Sequence, residues 1–235
     1  MYKTKTIIAI IPARSASKHL PHKNIRAFMG KPLIAWTLLA ARRSGVIDEI
    51  FVSTDSEQYA TIAKSYGANI PFLRPDALSG DTCPASAYIV HTLNEYRERL
   101  HITFDYFILL QPTSPLRTPE HIVNGIKLAV DENLTSVVAF SPFNEDLRLV
   151  RALPNDMSLA GAGTPNDTLR QESKQLYRVN GMIYISQCGA YIASKSFYGP
   201  RAKAMIIDDE YSIDIDDESD FQYAEFLAKK SGRFE

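Results

Sequence analysis

Apolar residues along this chain follow two spacings. Short unbroken runs rich in β-branched and aromatic residues, such as Ile7-Ile8-Ala9-Ile10-Ile11 and Tyr106-Phe107-Ile108-Leu109-Leu110, read as strands buried on both faces of a parallel sheet. Residues 49–53, 69–73, 136–140, 179–185 and 203–207 read as further strands. Between the strands lie segments with helical spacing and helical punctuation. Residues 32–41 carry proline in their first turn. Thr54-Asp55-Ser56 supplies a cap for a helix through Ala63 and Tyr66, which Gly67 ends. Residues 83–99 form a long helix, Thr118-Pro119-Glu120 opens another through Val130, and residues 221–229 make an amphipathic C-terminal helix.

This alternation predicts an α/β fold, an open and mostly parallel sheet with helices on both faces, in a single domain over residues 1–235. The pattern loosens over about 141–178, which reads as an inserted β-rich lobe or an oligomer arm. Ligands of such sheets bind beyond the carboxyl ends of the strands. The loop after residue 11, Thr54-Asp55 and the segment 111–117 all fall at such ends.

A chain of 235 residues suits one large domain, or a domain with a lobe. Its 26 Lys and Arg balance 27 Asp and Glu, for a net charge of −1, so bulk charge predicts neither nucleic-acid nor anionic-membrane binding. No apolar stretch approaches the roughly 20 residues of a transmembrane helix. The N-terminus lacks a small-residue cleavage site after a long apolar region and does not read as a signal peptide. Cys83 and Cys188 fit packing roles in a reducing cytoplasm, and no Cys/His cluster has zinc spacing.

Charge therefore matters locally. Residues 12–24 hold Arg14, Lys18 and Lys23 among small residues at a strand end, which suits a polyphosphate. The loop contains no glycine and matches neither the P-loop nor the dinucleotide fingerprint. A solvated basic loop is the competing reading. Near the other terminus stands Asp214-Ile215-Asp216. In an extended segment, residues two apart face the same side. Two such carboxylates suit Mg²⁺, which is held by one or two carboxylates plus substrate phosphates. Capping of the following helix is the alternative. A cation loop together with a metal-binding pair points to nucleoside triphosphate chemistry, with charge stabilised on phosphate oxygens and on departing pyrophosphate.

Six blocks in order carry a resemblance. Ile11-Pro12-Ala13-Arg14-Ser15-Ala16-Ser17-Lys18 with Lys23-Asn24 resembles the signature loop of the acylneuraminate cytidylyltransferases, or CMP-sialic acid synthetases. Val52-Ser53-Thr54-Asp55, Leu73-Arg74-Pro75 with Ser79-Gly80-Asp81-Thr82, and Leu110-Gln111-Pro112-Thr113-Ser114-Pro115-Leu116-Arg117 follow. Arg178-Val179-Asn180-Gly181 and Ser212-Ile213-Asp214-Ile215-Asp216 complete the set.

The resemblance implies a Rossmann-like nucleotidyltransferase fold with a small dimerisation lobe, a homodimer, and a cytoplasmic enzyme that uses CTP, Mg²⁺ and a nine-carbon nonulosonic acid. It implies that Arg14, Ser17, Lys18, Lys23, Asn24, Arg74, Ser79, Asp81 and Thr82 handle CTP. Gln111, Arg170, Gln171, Arg178 and Asn180 would hold the sugar acid, with Phe143, Tyr177 and Tyr191 near the acceptor. Asp214 and Asp216 would bind Mg²⁺, and Asp216, Lys23 and Arg14 would carry catalysis. Relatives usually have glycine where Ala16 stands and often where His19 stands. Those two departures motivate a second expectation, a nucleotide-binding homologue without catalysis.

Overall fold

The computed structural model describes residues 1–16, 20–145, 150, 155 and 175–232. Among the described residues the strands are β1 (Ile7–Pro12), β2 (Ala27–Phe28), β3 (Lys31–Pro32), β4 (Glu49–Ser53), β5 (Tyr106–Leu109), β6 (Ser136–Phe143), β7 (Leu176–Gln187) and β8 (Ala202–Ile206). The α-helices among them are α1 (Leu33–Arg43), α2 (Glu57–Ser65), α3 (Ala85–Arg99), α4 (Pro119–Asp131), α5 (Cys188–Ser194) and α6 (Glu218–Ser231).

The main sheet has the order β4-β1-β5-β7-β6-β8. β1 runs parallel to β4 and β5, and β6 runs parallel to β8. Only β7 is reversed, pairing antiparallel with β5 and β6. Ile7, Ile8, Ala9, Ile10 and Ile11 are all fully buried. Because successive side chains of a strand point to opposite faces, both faces of β1 are covered. The mostly parallel sheet expected from the sequence is therefore present.

The expected strand at 69–73 is not. It makes a single bridge, Asn69 to Phe51, and then an isolated bond from the Arg74 amide to the Thr54 carbonyl at 2.7 Å. Pro71 has no N–H to continue the ladder. A hairpin of β2 and β3 forms instead where no strand is read, turning through Met29 (φ 46°) and Gly30 (φ 77°). Positive φ at both central residues is the geometry of a tight two-residue hairpin.

Two features of this architecture place the site. β1, β4 and β5 share a direction, so their carboxyl ends, and the loops that follow, open on one side. The second feature is an irregularity in β7. Val138 pairs with Tyr184 and Phe140 with Val179, so Ala139 of β6 opposes residues 180–183 of β7. This bulge lies just past the register pair Leu109–Tyr184, beyond the carboxyl end of β5. Bulges re-aim side chains and commonly border active sites. A separate apolar cluster then joins the pieces. Leu20, Phe28, Leu33, Trp36, Leu116, Ile215 and Phe221 pack together, fastening the basic loop and the aspartate segment to α1 and α6.

Candidate active site

A cleft of about 490 Å³ opens at the carboxyl ends of β1 and β5. Arg14, Lys23, Asn24, Arg74, Gln111 and Asp216 are among the residues that line it. Six residues drawn from four of the six sequence blocks thus meet in one cavity.

The basic loop is held from behind. The Asp55 carboxylate accepts the Ser15 amide at 2.8 Å and the Ser15 hydroxyl at 2.7 Å. Burial raises the Asp55 carboxyl, but the two bonds from Ser15, with its own backbone amide and the charge of Arg74, together bring the group below the usual carboxylate range. The buried Asn24 amide donates to the Arg14 carbonyl at 3.2 Å. Arg14 reaches across the cleft to pair with Asp81. The sequence reading placed Asp55 in a capping cluster; the structure puts its carboxylate on the basic loop instead. The cap of α2 is Ser56, whose hydroxyl accepts the Tyr59 amide at 3.3 Å.

Arg74 forms the next wall. It is 5% exposed, its Nε donates to the Ser53 hydroxyl at 2.9 Å, and its Nη2 donates to the Ser53 carbonyl at 2.6 Å. Its guanidinium lies 4.5 Å from the centre of the Tyr88 ring, a cation–π arrangement. Burial lowers the Arg74 guanidinium and pushes the Tyr88 hydroxyl up to about 12. Tyr88 and Cys83 also line the cleft, and neither stood out as a site residue in the sequence.

The aspartate pair settles one ambiguity. Helix α6 is capped by Asp217, whose side chain accepts the Asp220 amide at 3.0 Å, while Asp220 accepts the amides of Asp216 and Asp217. Asp216 plays no capping role with its own carboxylate. That group accepts from Lys23 Nζ at 3.1 Å, and Lys23 donates also to the Ile215 carbonyl at 2.6 Å. Ile215 is fully buried, which leaves Asp214 and Asp216 on the opposite side.

Asp214 is exposed as a residue, yet enough protein lies around its carboxyl to desolvate it. Desolvation is the main cause that raises its carboxyl; a hydrogen bond from Thr113 and the charge of Lys23 oppose this, and the charge of Asp216 adds to it. A carboxyl in this state gains from a nearby cation. Two carboxylates and a threonine hydroxyl form a hard oxygen set that fits Mg²⁺ completed by phosphate oxygens and water. Among the described residues, no three His, Cys, Asp or Glu side chains gather to hold a metal without such help.

The bulge of β7 brings Gly181 against this pair. Gly181 has φ +75°, and a Cβ there would lie 3.3 Å from Asp214 Oδ2 and 3.8 Å from Gln111 Nε2. The backbone conformation favours glycine, and any side chain would make the Asp214 carboxylate shift by a few tenths of an ångström. A second cavity of about 240 Å³ lies on Asp214's side, bordered by Arg178, Asn180, Asp209 and Tyr223. Asp216 faces the larger cleft and Asp214 the smaller.

Other predicted site residues sit less simply. Arg178 donates to Asp209 at 2.7 Å at the rim of the second cavity, with both side chains about half exposed. The Asn180 amide is buried and used by the fold, donating to the Ser141 hydroxyl at 3.0 Å and accepting the Met182 amide at 3.1 Å. Ser79 turns its hydroxyl to the Pro75 carbonyl at 3.2 Å, and neither it nor the exposed Thr82 lines the cleft. Tyr191 is a core residue, with its ring 5.0 Å from Phe107 and 4.7 Å from Phe197. Ser17, Lys18, Arg170, Gln171 and most of the 141–178 lobe lie outside the described residues.

Residues 8–234 match a family model described as cytidylyltransferase. An N-acylneuraminate cytidylyltransferase of Escherichia coli O18:K1:H7 is 39% identical over 228 residues, covering 97% of this chain and 53% of that protein. A CMP-N,N'-diacetyllegionaminic acid synthase of Legionella pneumophila is 38% identical over 225 residues, covering 94% of this chain and 95% of that protein. The chain thus spans about half of the first relative and nearly all of the second. Among solved structures, a CMP:2-keto-3-deoxy-manno-octonic acid synthetase complexed with CTP superposes with a TM-score of 0.72 at 15% identity, covering 96% of this chain and 99% of that one. That likeness is one of fold.

Proposed function

This chain belongs to the cytidylyltransferase family, and from that premise we propose that it transfers CMP from CTP to the anomeric hydroxyl of a nine-carbon, sialic-acid-like sugar acid, releasing pyrophosphate. One observation carries this reading: a single cleft is lined by Arg14, Lys23 and Arg74 together with Asp216 and Gln111. In this reading Arg14 and Lys23 neutralise the triphosphate, Lys23 giving up its present partners for phosphate oxygens that make stronger charge-assisted bonds. Arg14 is released from Asp81 in the same exchange. Arg74, fixed edge-on by Ser53 and face-on by Tyr88, holds the nucleoside. Gln111 turns toward the sugar acid.

Asp214 and Asp216 would hold Mg²⁺. When bound, the ion supplies positive charge to the phosphate oxygens and lowers the pKa of the attacking hydroxyl. Support comes from the crowded Asp214 carboxyl and from Asp216's freedom from any capping duty.

The test is pyrophosphate release from CTP at millimolar Mg²⁺ with a panel of sugar acids. The panel starts with N,N'-diacetyllegionaminic acid, because the Legionella relative aligns over nearly its whole length, and continues with N-acetylneuraminic and pseudaminic acids. Turnover with one of them is expected. Calorimetric CTP binding with no pyrophosphate from any sugar would support the non-catalytic nucleotide-binding homologue instead.

A homodimer in a reducing cytoplasm belongs to the same reading. Tyr177 and Val179, two apart on β7 and therefore on one face, expose 49% and 40% of their surface, an apolar pair suited to a second copy. Free Cys83 and Cys188 fit the compartment. Sedimentation equilibrium is expected to give twice the 26.3 kDa chain mass, and Tyr177→Asp is expected to move the population toward monomer.

A further inference from the structure

Arg117 closes the 110–117 block, yet it lines neither the main cleft nor the cavity beside Asp214. It is 4% exposed. Its guanidinium spreads over three elements: Nε donates to the Met182 carbonyl on β7 at 2.8 Å, Nη1 to the Thr37 hydroxyl on α1 at 3.1 Å, and Nη2 to the Gln111 carbonyl at 2.8 Å. All three acceptors are neutral, and among the described residues no carboxylate bonds it. Burying a cation on neutral partners is costly. Burial accordingly pushes its guanidinium down to about 9, with Asp214 the opposing charge that acts on it through space. A core built only for stability is served as well or better by apolar packing at such a position.

The acceptors explain what the cation does. Met182 follows Gly181 in the β7 bulge, and a Cβ built on Gly181 would lie 3.8 Å from Gln111 Nε2, so Arg117 ties together the two segments that meet there. Holding both carbonyls with one planar group fixes the spacing of the two segments. A lysine cannot do this, because its point charge lacks the rigid fork that reaches three acceptors in one plane.

We propose that Arg117 is a positioning residue for the sugar-acid half of the site, setting the distance between Gln111 and the β7 bulge from behind. This rests on the assignment of Gln111 to the sugar acid. It predicts an asymmetric kinetic defect. With purified full chain and the sugar acid that turns over in the panel, Arg117→Lys is expected to raise the KM for the sugar about tenfold or more, the scale of a small misplacement in a preorganised site. The KM for CTP is expected to stay within about threefold, because Arg117 bonds Met182, Thr37 and Gln111 and not the described residues of the basic loop.

Thr37→Val removes one acceptor and keeps the guanidinium; a smaller rise in the same constant is expected. It also decides the matter if Arg117→Lys fails to fold. Equal rises in both constants, or an unchanged sugar KM in a folded variant, would overturn the proposal. Gln111→Ala separates the two layers. A raised sugar KM in Gln111→Ala with none in Arg117→Lys defeats the positioning role alone. No change in Gln111→Ala defeats the assignment of Gln111, and the positioning role with it.

Discussion

Asp216→Asn is expected to lower kcat by about 10²–10³-fold, the usual loss when one preorganised charge is removed from a site of developing charge. The dissociation constant for CTP, read by calorimetry without Mg²⁺, is expected to change less than about threefold. The asparagine keeps size and shape but removes the negative charge that faces Lys23 at 3.1 Å. Fold stability should hardly move. The Asp216 side chain is 76% exposed, so its ion pair is screened by solvent. The cap of α6 is Asp217's work.

Asp217→Ala is the matching control. It is expected to cost about 1 kcal/mol of stability through the lost cap while turnover is retained. An Asp216→Asn enzyme within tenfold of wild type would remove Asp216 from the chemistry. A large fall in its melting temperature would return it to a structural role.

That contrast could not be drawn from sequence. Asp216 and Asp217 both precede a helix with acids in its first turn, and either can cap it. The choice depends on which carboxylate the backbone turns inward, and buried Ile215 decides that. The same limit runs through the rest of the site. The runs at 7–11 and 106–110 were legible as strands because burial on both faces leaves no polar position in them. The direction of β7 was not, since an antiparallel strand buried on both faces shows the same unbroken apolar run as a parallel one.

The bulge at 180–183 was hidden for a related reason: Asn180-Gly181 reads as a turn signal, but the strand on either side of it reads as continuous. Asn180 was assigned to the ligand from its block, whereas Ser141 and Ser212, distant in sequence, claim its amide. Residues 69–73 read as a strand from their apolar content, and Pro71 denies them the ladder. Arg117 was visible as the end of a motif; its burial, and therefore its function, was not.

Gly181→Ala tests the most compact part of the site. Two separable effects are expected. The φ of +75° disfavours any side chain, with a cost of about 1–2 kcal/mol. The added methyl would also press on Asp214 Oδ2 at 3.3 Å and Asp214 Cγ at 3.7 Å, so the carboxylate must give way by a few tenths of an ångström. Displacement on that scale in a preorganised centre is expected to cost on the order of 10–10²-fold in kcat.

Gly30→Ala isolates the first effect. Gly30 has φ +77° in the β2–β3 hairpin, and a Cβ there meets nothing within 4 Å. Both variants are therefore expected to lose similar stability in thermal unfolding, and only Gly181→Ala to lose turnover. Equal activities in the two would mean that Asp214 tolerates the shift and that its position against the bulge is not what the chemistry requires. A selective loss in Gly181→Ala would tie the irregularity in β7 to catalysis, through a contact that only the absence of a side chain permits.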